Sequence, residues 1–212
     1  YTSGTTGVPK GVMFSYESFV NNGANVELTY KFNSEYLTII STPMFHVLGF
    51  NDTVLPTLMS GGTLVLQRYF NGEELNDLIA QYHPDFLIMI PTMYYSTLNQ
   101  KNFNPDDFRA IKFVIQGGSQ PLPSIQQAFK KYGINIINGY GLTEAPLVMV
   151  NTPENARHKP MSIGKSVMFV DAKVLDEDKN EVGDGEIGEL AIRSKNVTPG
   201  SVSYTHLRAH ET

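Results

Sequence analysis

Residues 1–11 concentrate the glycines and side chains that suit a phosphate ligand, with three glycines, four Ser or Thr residues and one lysine. Glycine lets backbone N–H groups approach phosphate oxygens closely, hydroxyl groups add donors that rotate, and Lys10 adds a point charge. The segment predicts a polyphosphate-binding loop, although such a run alone is equally compatible with a flexible turn between strands. The candidate contacts are Thr2, Ser3, Gly4, Thr5, Thr6, Gly7 and Lys10.

The spacing in this loop differs from the Walker pattern, in which Gly-Lys-Ser/Thr opens a helix. Here Pro9 precedes the lysine, so the phosphate contacts must be arranged differently. The whole run, including Pro-Lys-Gly, resembles the signature loop of the adenylate-forming superfamily. That superfamily contains acyl-CoA synthetases, insect luciferases and the adenylation domains of peptide synthetases. The resemblance implies that the nucleotide is ATP.

A second segment, residues 138–144 (Asn-Gly-Tyr-Gly-Leu-Thr-Glu), follows a predicted strand and resembles the superfamily's second nucleotide motif. Alone it is also compatible with an ordinary turn followed by a surface carboxylate. By the resemblance, Tyr140 lies against the adenine ring and Thr143 binds the α-phosphate, and an aromatic face and a hydroxyl suit those tasks. Glu144 is the implied magnesium ligand, because a carboxylate is a hard ligand for a hard cation. The other nucleotide-contact candidates here are Asn138, Gly139 and Gly141.

Residues 116–122 resemble the segment that lines the adenine edge and the acyl pocket. Gly118 and Ser119 are the expected contacts, because a glycine at a strand end permits close approach of a ligand. Gln120 stands where the commonest form of the motif carries a small residue. The details of the acyl pocket therefore stay open.

Residues 42–49 resemble the motif that places an aromatic residue or a histidine near the reacting carboxylate, and that role falls to His46. A lone histidine beside an apolar run is otherwise more often structural. Peptide synthetase domains usually place an aspartate at this point to pair with the ammonium group of an amino acid. This chain has His46 there, so no charge partner is expected. The Gly-Leu-Thr-Glu form of the second motif also favours the acyl-CoA synthetases and luciferases.

The resemblance implies ATP-dependent activation of a carboxylic acid as its acyl-adenylate, followed by thioester formation with coenzyme A. Magnesium is the implied metal, and the implied catalytic residues are Lys10, His46, Thr143 and Glu144. Two alternatives stay open. One is an amino-acid or aryl-acid adenylation domain of a peptide synthetase, and the other is a non-catalytic nucleotide-binding module or an inert truncated fragment. The acid, the acceptor thiol and the oligomeric state are not predicted.

The composition is that of a globular protein with a core: 212 residues, 41% apolar and 17% charged, with a mean hydropathy of -0.18. A formal net charge of -5 gives no electrostatic case for nucleic-acid binding, which needs a basic face. No apolar run approaches the length of a membrane span. The absence of cysteine excludes disulfides and thiolate metal sites, and it is compatible with the cytoplasmic location that we expect.

Helix-like and strand-like segments alternate along the chain, which is typical of parallel α/β folds. In residues 47–59, Pro56 is expected to kink the predicted helix or to end it early. Asn71 with Glu74 resembles a capping box, and Pro91 suits a first helical turn. We predict helices over 16–30, 47–59, 72–82 and 124–132, and strands over 36–40, 63–66, 86–90, 112–115 and 134–137.

The pattern of predicted elements changes after residue 163. Segments 172–175 and 188–193 predict two antiparallel strands joined by a polar stretch. We therefore divide the chain into a central α/β part of the AMP-binding domain (1–163) and the start of a β subdomain (164–201). Residues 202–212 lack periodicity and resemble a translated sequencing-library adapter, so we exclude them from the fold as an assembly artefact; the alternative is a natural amphipathic tail. The superfamily resemblance covers residues 1–200, the central part of the large N-terminal domain, and we expect the isolated fragment to be inactive.

Overall fold

The computed structural model describes residues 1–2 and 10–203. Of the predicted phosphate-loop residues, Ser3, Gly4, Thr5, Thr6 and Gly7 lie outside the described residues. In chain order the elements are β1 (Lys10–Val12), α1 (Tyr16–Tyr30), β2 (Leu37–Ile40), α2 (Val47–Gly49), a π-helical segment (Phe50–Val54), α3 (Leu55–Met59), β3 (Thr63–Leu66), α4 (Gly72–Tyr82), β4 (Phe86–Met89), α5 (Pro91–Leu98), α6 (Pro105–Ala110), β5 (Phe113–Gln116), α7 (Pro123–Lys130), β6 (Ile137–Leu142), β7 (Ala145–Val150), α8 (Pro153–His158), β8 (Lys165–Ser166), β9 (Val170–Leu175), β10 (Glu189–Ser194) and β11 (Ser201–Ser203).

A sheet of seven strands forms the centre of the fold, in the order β3-β2-β4-β5-β6-β7-β8. The first five strands pair in parallel, and β7 and β8 are added antiparallel at one edge. Parallel neighbours need crossover connections, and the helices between β2 and β6 supply them. The predicted α/β class with mostly parallel strands is confirmed.

The sheet is buried on both faces, as the residues of β4 show. Phe86 and Ile88 belong to one buried apolar cluster, whereas Leu87 and Met89 belong to another. Successive residues of a strand point to opposite faces, so a strand covered on both sides is apolar throughout. The first cluster packs against α1, and the second packs against α4, α5, α6 and α7. None of the helices in the described part of the chain is long and apolar enough to cross a membrane.

Local capping explains where two of the predicted helices begin. The Ser15 hydroxyl accepts the backbone N–H of Ser18, and the Ser18 hydroxyl accepts the backbone N–H of Ser15 in return, so α1 begins as predicted. Asn71 caps α4 as predicted, by accepting the backbone N–H of Glu74. Among the described residues, the Glu74 carboxylate accepts from the Gln67 amide rather than closing a capping box.

The predicted helix over residues 47–59 contains a π-helical segment. α2, this segment and α3 follow one another without a break, so the run ends at Met59 and not at Pro56. The Leu55 N–H donates to the Phe50 carbonyl, five residues earlier, which is the π-helical pattern. Pro56 lies at the start of α3, where a missing N–H costs least. π-Helical turns within α-helices often occur at functional sites.

The strand predicted over residues 134–137 is wrong in its position. β6 pairs with β5 only from Ile137 and continues to Leu142, through the segment that we placed after a predicted strand and interpreted as a nucleotide motif. Ile134 and Ile136 are buried, but they pack in the approach to the sheet after α7. The run of isoleucines indicates burial. The strand itself lies in the next segment, whose glycines have low strand propensity.

The second half of the chain adds two smaller sheets. β9 and β10 form the predicted antiparallel pair. β8 pairs with β7, so the central sheet extends past residue 163, where we expected the α/β part to end. β11 pairs antiparallel with β1, and it includes Val202 and Ser203, which we expected to lie outside the fold. Residues 204–212 lie outside the described part of the chain.

Candidate active site

A cleft of about 570 Å³ opens at the carboxyl edge of the parallel strands. Ile88 of β4, Gly118 after β5 and the end of β6 all line it. In open α/β sheets, ligands bind outside this edge. The cleft brings together most of the described candidate residues, namely Thr2, Lys10, His46, Gly118, Gly139, Tyr140, Gly141, Thr143 and Glu144.

A second cavity, of about 380 Å³, adjoins the cleft. Ser119 and Gln120 line this second cavity, whereas Gly118 and Tyr140 line both. The two cavities therefore share a wall. Ser119, which is expected at the adenine edge, lies in the same cavity as Tyr140, which is expected to contact the adenine ring.

The two ends of the predicted phosphate loop are fixed beside the cleft. Thr2 and Lys10 form an antiparallel bridge, in which the Thr2 N–H donates to the Lys10 carbonyl at 2.9 Å and the Lys10 N–H donates to the Thr2 carbonyl at 3.0 Å. Both residues line the cleft. Lys10 also begins β1, so a strand holds the lysine backbone in place.

Thr143 and Glu144 form the two-residue turn between β6 and β7, which the pairing of Leu142 with Ala145 closes. A two-residue hairpin turn fixes the direction of the backbone, so the Cα positions of Thr143 and Glu144 are fixed relative to each other. Both residues are half-buried in the wall of the cleft. The hairpin thus places a hydroxyl group and a carboxylate side by side.

Gly141 allows the two strands of this hairpin to approach each other. The register between β6 and β7 shifts around this residue, which is the sign of a β-bulge. A Cβ atom at position 141 would lie 2.7 Å from the backbone nitrogen of Leu147, closer than real Cβ contacts. Glycine is therefore required for the observed position of the Thr143–Glu144 turn.

The segment after β10 ties the turn to β1. Thr198 donates its backbone N–H to the Glu144 carbonyl at 2.7 Å and its hydroxyl to the carbonyl of Met13, which follows β1. The Asn196 side chain is fully buried and donates to the Pro146 carbonyl at 2.8 Å. One short segment thus holds the end of β1 and the Thr143–Glu144 turn in a fixed relation. Sequence reasoning missed it, since its main contacts are to backbone carbonyls, which leave no signal in residue type.

Asn138 lies behind the cleft rather than in its wall, and it is 1% exposed. Its side-chain oxygen accepts from Gln116 (2.7 Å) and Gln126 (2.9 Å), and its nitrogen donates to the carbonyls of Pro160 and Ser162 (2.8 Å each). These four bonds use the whole capacity of an amide group. We therefore correct the prediction that this side chain contacts the nucleotide. Asn138 instead fastens β6 to its neighbours.

His46 caps α2, and its Nδ1 accepts the backbone N–H of Leu48 at 3.2 Å. When the ring is neutral, its proton is therefore on Nε2, which is available as a donor. His46 is exposed and lines the cleft. The helix cap fixes both the orientation of the ring and its tautomer.

Asp52 also lines the cleft, and sequence reasoning missed it. It lies in the π-helical segment, is 6% exposed and accepts a hydrogen bond from the Asn22 amide at 2.9 Å. Burial disfavours the charged form and raises the pKa of Asp52 to about 7, although the Asn22 hydrogen bond lowers it. The signal in the sequence was one carboxylate within a mostly apolar predicted helix. Asp52 lies six residues after His46 and lines the same cleft.

Asp52→Asn is expected to remove a pH dependence from the stability of the full-length protein. Folding raises the pKa of Asp52 from its usual 3.8 to about 7, so the folded state favours the protonated carboxyl group. This stabilising contribution is complete below about pH 4 and is lost as the pH rises to about 7, for a total of about 4 kcal/mol. Melting temperatures measured across this range should therefore fall with rising pH in the wild type relative to the variant.

Asp178→Asn is the matched control for this comparison, since Asp178 is exposed. Its melting temperature should follow that of the wild type at every pH. A constant difference between wild type and Asp52→Asn over the same range would show that the Asp52 carboxyl group does not titrate between its two expected values.

Residues 1–202 match the family model described as AMP-binding enzyme. Two curated relatives are a feruloyl-CoA synthase from an Amycolatopsis species, 28% identical over 201 residues, and a long-chain-fatty-acid–CoA ligase from Salmonella typhimurium, 32% identical over 209 residues. Each alignment covers 94% of this chain, but 41% and 36% of the respective relative. The crystal structure of ATP-bound MatB from Rhodopseudomonas palustris superposes with a TM-score of 0.87 at 25% identity, covering 100% of this chain and 42% of that chain.

The fold is that of adenylate-forming enzymes, and the cleft lies at the carboxyl edge of the parallel strands. Because the family model covers nearly the whole sequence, the chain belongs to the AMP-binding enzyme family. The chain spans less than half the length of the relatives that it matches.

Proposed function

We propose that the full-length parent of this chain activates a carboxylic acid with ATP as the acyl-adenylate and then transfers the acyl group to coenzyme A. The observation that supports this most strongly is the meeting of Lys10, His46 and the Thr143–Glu144 turn in one cleft. These residues are far apart in the sequence, and each of the motifs alone allows an ordinary turn. Their convergence favours a shared ligand that contains phosphate.

The first step joins two anions. A carboxylate oxygen attacks the α-phosphorus of ATP, the bond from this phosphorus to the bridging oxygen of the β-phosphate breaks, and pyrophosphate leaves. Positive charge and hydrogen-bond donors in the cleft lower the barrier, because negative charge opposes the approach and collects on the leaving group. In the second step the thiolate of coenzyme A attacks the acyl carbon, and AMP leaves with the electron pair of the broken carbon–oxygen bond.

The nucleotide roles follow from the positions of the side chains. We assign Lys10 to the polyphosphate, because it is the cation beside the predicted phosphate loop. Thr143 is assigned to the α-phosphate, since it stands next to Glu144 at the tip of the hairpin. Tyr140 is assigned to the adenine ring and Ser119 to its edge, because both line the adjoining cavity.

The residues at the hairpin turn fit a phosphate-bound magnesium ion. Mg²⁺ prefers oxygen ligands, and in nucleotide sites one or two carboxylates and the substrate phosphates hold it. Glu144 offers a half-buried carboxylate next to the Thr143 hydroxyl, so it is the residue that would hold the ion. When bound, magnesium supplies positive charge to the phosphate oxygens. The turn fixes the backbone of Glu144 in the wall of the cleft.

The acid is expected to occupy the part of the cleft near α2. His46 presents its Nε2–H there as a donor for the carboxylate end. The adjacent wall is apolar and suits an aliphatic or an aryl group. Two relatives are named for acids of these kinds, a feruloyl-CoA synthase and a long-chain-fatty-acid–CoA ligase. The apolar lining residues are Val47, Leu48, Ile88 and Leu147.

ATP–pyrophosphate exchange by the full-length protein tests the proposal. With a panel of aliphatic and aryl acids, we expect label from pyrophosphate to enter ATP with at least one acid and only in the presence of magnesium. Lys10→Ala is expected to lower the exchange rate at least about tenfold, or about 1.4 kcal/mol. Lys101→Ala removes an exposed lysine outside the cleft and should retain the wild-type rate.

The same assay separates the two acceptor classes. Coenzyme A should convert exchange into net formation of AMP, whereas an adenylation domain that serves a carrier protein would not respond to it. Exchange with none of the acids, or a wild-type rate in Lys10→Ala, would reject the corresponding part of the proposal.

A further inference from the structure

Asp52 lines the cleft together with several apolar residues. Val47 and Leu48 precede it on the same helical run, and Ile88 and Leu147 reach the cleft from β4 and β7. A carboxyl group in such surroundings loses hydration, which is costly unless hydrogen bonds replace the lost water. Packing alone would therefore favour an apolar side chain at this position.

One donor reaches the Asp52 side chain from the described part of the chain. The Asn22 amide donates to Oδ1 at 2.9 Å, and the same nitrogen donates to the Asn51 carbonyl at 3.0 Å. Asn22 is itself held in place, because its oxygen accepts from Asn196 at 3.4 Å. A carboxylate accepts about four hydrogen bonds on its two oxygens. This is the one hydrogen bond to Asp52 from the described residues, so acceptor capacity remains on a side chain that lines the cleft.

We propose that the acid activated by this enzyme carries a hydrogen-bond donor, a hydroxyl or an amino group, that binds the Asp52 carboxyl group. The inference rests on the proposed function, because it assumes that an acid occupies the cleft with its carboxylate near His46. His46 is the N-cap of the helical run, and Asp52 lies six positions further on, within the π-helical segment. At about 1.5 Å per residue they are roughly 9 Å apart along the axis, the length of a short acyl chain or of one ring.

The environment of Asp52 favours an acid of this kind over a plain hydrocarbon acid. An acid without a donor would cover Asp52 with hydrocarbon and leave an oxygen unpaired, which costs binding free energy. A site that hydrogen-bonds a substrate group rejects the analogue without that group more strongly than an apolar pocket distinguishes chain lengths. A hydroxyl group suits either protonation state of Asp52. An amino group in its cationic form requires the ionised state.

The test compares matched acids in the exchange assay with the full-length enzyme. The panel contains hexanoate and phenylpropanoate, each with derivatives that carry a hydroxyl or an amino group at successive positions. We expect at least one derivative to exceed its unsubstituted parent in kcat/KM by about tenfold or more. Asp52→Leu should abolish this preference, so that kcat/KM for the derivative falls to that for its unsubstituted parent or below.

Two further variants sharpen the comparison. Asp52→Asn keeps the shape and still accepts from Asn22, but a neutral amide is a weaker acceptor, so the preference should fall for hydroxy acids and disappear for amino acids. This variant carries the test if Asp52→Leu does not fold. Thr53→Ser changes the next residue, which is buried but does not line the cleft, and keeps the hydroxyl that donates to the Leu48 carbonyl, so it should keep the wild-type preference.

The outcomes distinguish this inference from the proposed function. Exchange with the unsubstituted acids and no preference for any derivative would overturn the inference alone. A preference that survives in both Asp52 variants would also overturn it, since the donor would then bind elsewhere. Exchange with no acid of any kind would instead reject the proposed function.

Discussion

Glu144→Gln is expected to lower ATP–pyrophosphate exchange by the full-length enzyme by about 100-fold, or about 2.7 kcal/mol. Glutamine keeps the size of the side chain and one oxygen, so the hairpin turn should keep its conformation. The charge on the carboxylate is lost, and the proposed magnesium ligand becomes a weaker one. Magnesium titrations should therefore show half-maximal activity at a higher concentration in the variant than in the wild type.

Two companion variants define what a change at Glu144 means. Glu144→Asp keeps the charge on a side chain that is shorter by one methylene group. Its exchange rate should therefore lie between those of the wild type and Glu144→Gln. Glu177→Gln makes the same substitution at an exposed carboxylate outside the cleft and should leave both rate and magnesium dependence unchanged. A wild-type rate and magnesium midpoint in Glu144→Gln would remove this residue from the proposed metal site.

Local chemistry made much of the fold predictable. The start of α1 follows from Ser15, and the start of α5 follows from Pro91, because each residue satisfies or removes a donor at the first helical turn. β4 was predictable from its continuous apolar run, which a parallel strand covered on both faces requires. Such signals lie within a few residues of the element that they define.

The course of β6 was not predictable in this way. Gly139 and Gly141 have low strand propensity, so we ended the predicted strand at residue 137, before this segment. β7 pairs with it across the Thr143–Glu144 turn, and this tertiary pairing outweighs the local preference. Residues 1–11 and this motif were singled out because their residue types suit a nucleotide, but the cleft that Thr2, Lys10 and the Thr143–Glu144 turn share is a property of the sheet order.

The roles of buried polar residues were the hardest to predict. Asn138 looked like a ligand contact, whereas its four hydrogen bonds are to residues on other elements. Asp52 looked like one polar position of an apolar helix, whereas the π-helical segment places it in the wall of the cleft. In both cases the partners are distant in sequence, so the residue type alone does not show whether a polar group faces a ligand or the protein.

Gly141→Ala is expected to lower the exchange rate at least about tenfold and to destabilise the protein by about 1–3 kcal/mol. The added Cβ atom would lie 2.7 Å from the backbone nitrogen of Leu147, and backbone atoms of β7 have no rotamer through which to move away. The strands must separate, and the Thr143–Glu144 turn must move with them. A displacement of about 1 Å of a positioned catalytic group can cost about 100-fold in rate.

Gly139→Ala is the matched control for the stability effect, because it adds the same methyl group to the same strand. There the Cβ atom would lie 3.5 Å from Ile115 and 3.6 Å from Leu147, which are ordinary contacts with side chains. Its melting temperature should therefore stay close to that of the wild type, whereas that of Gly141→Ala falls. Equal melting temperatures for the two variants would show that β7 can shift at the bulge and accommodate the added methyl group. If Gly141→Ala then also retained the wild-type exchange rate, the close approach of the two strands would not be what positions Thr143 and Glu144 for catalysis.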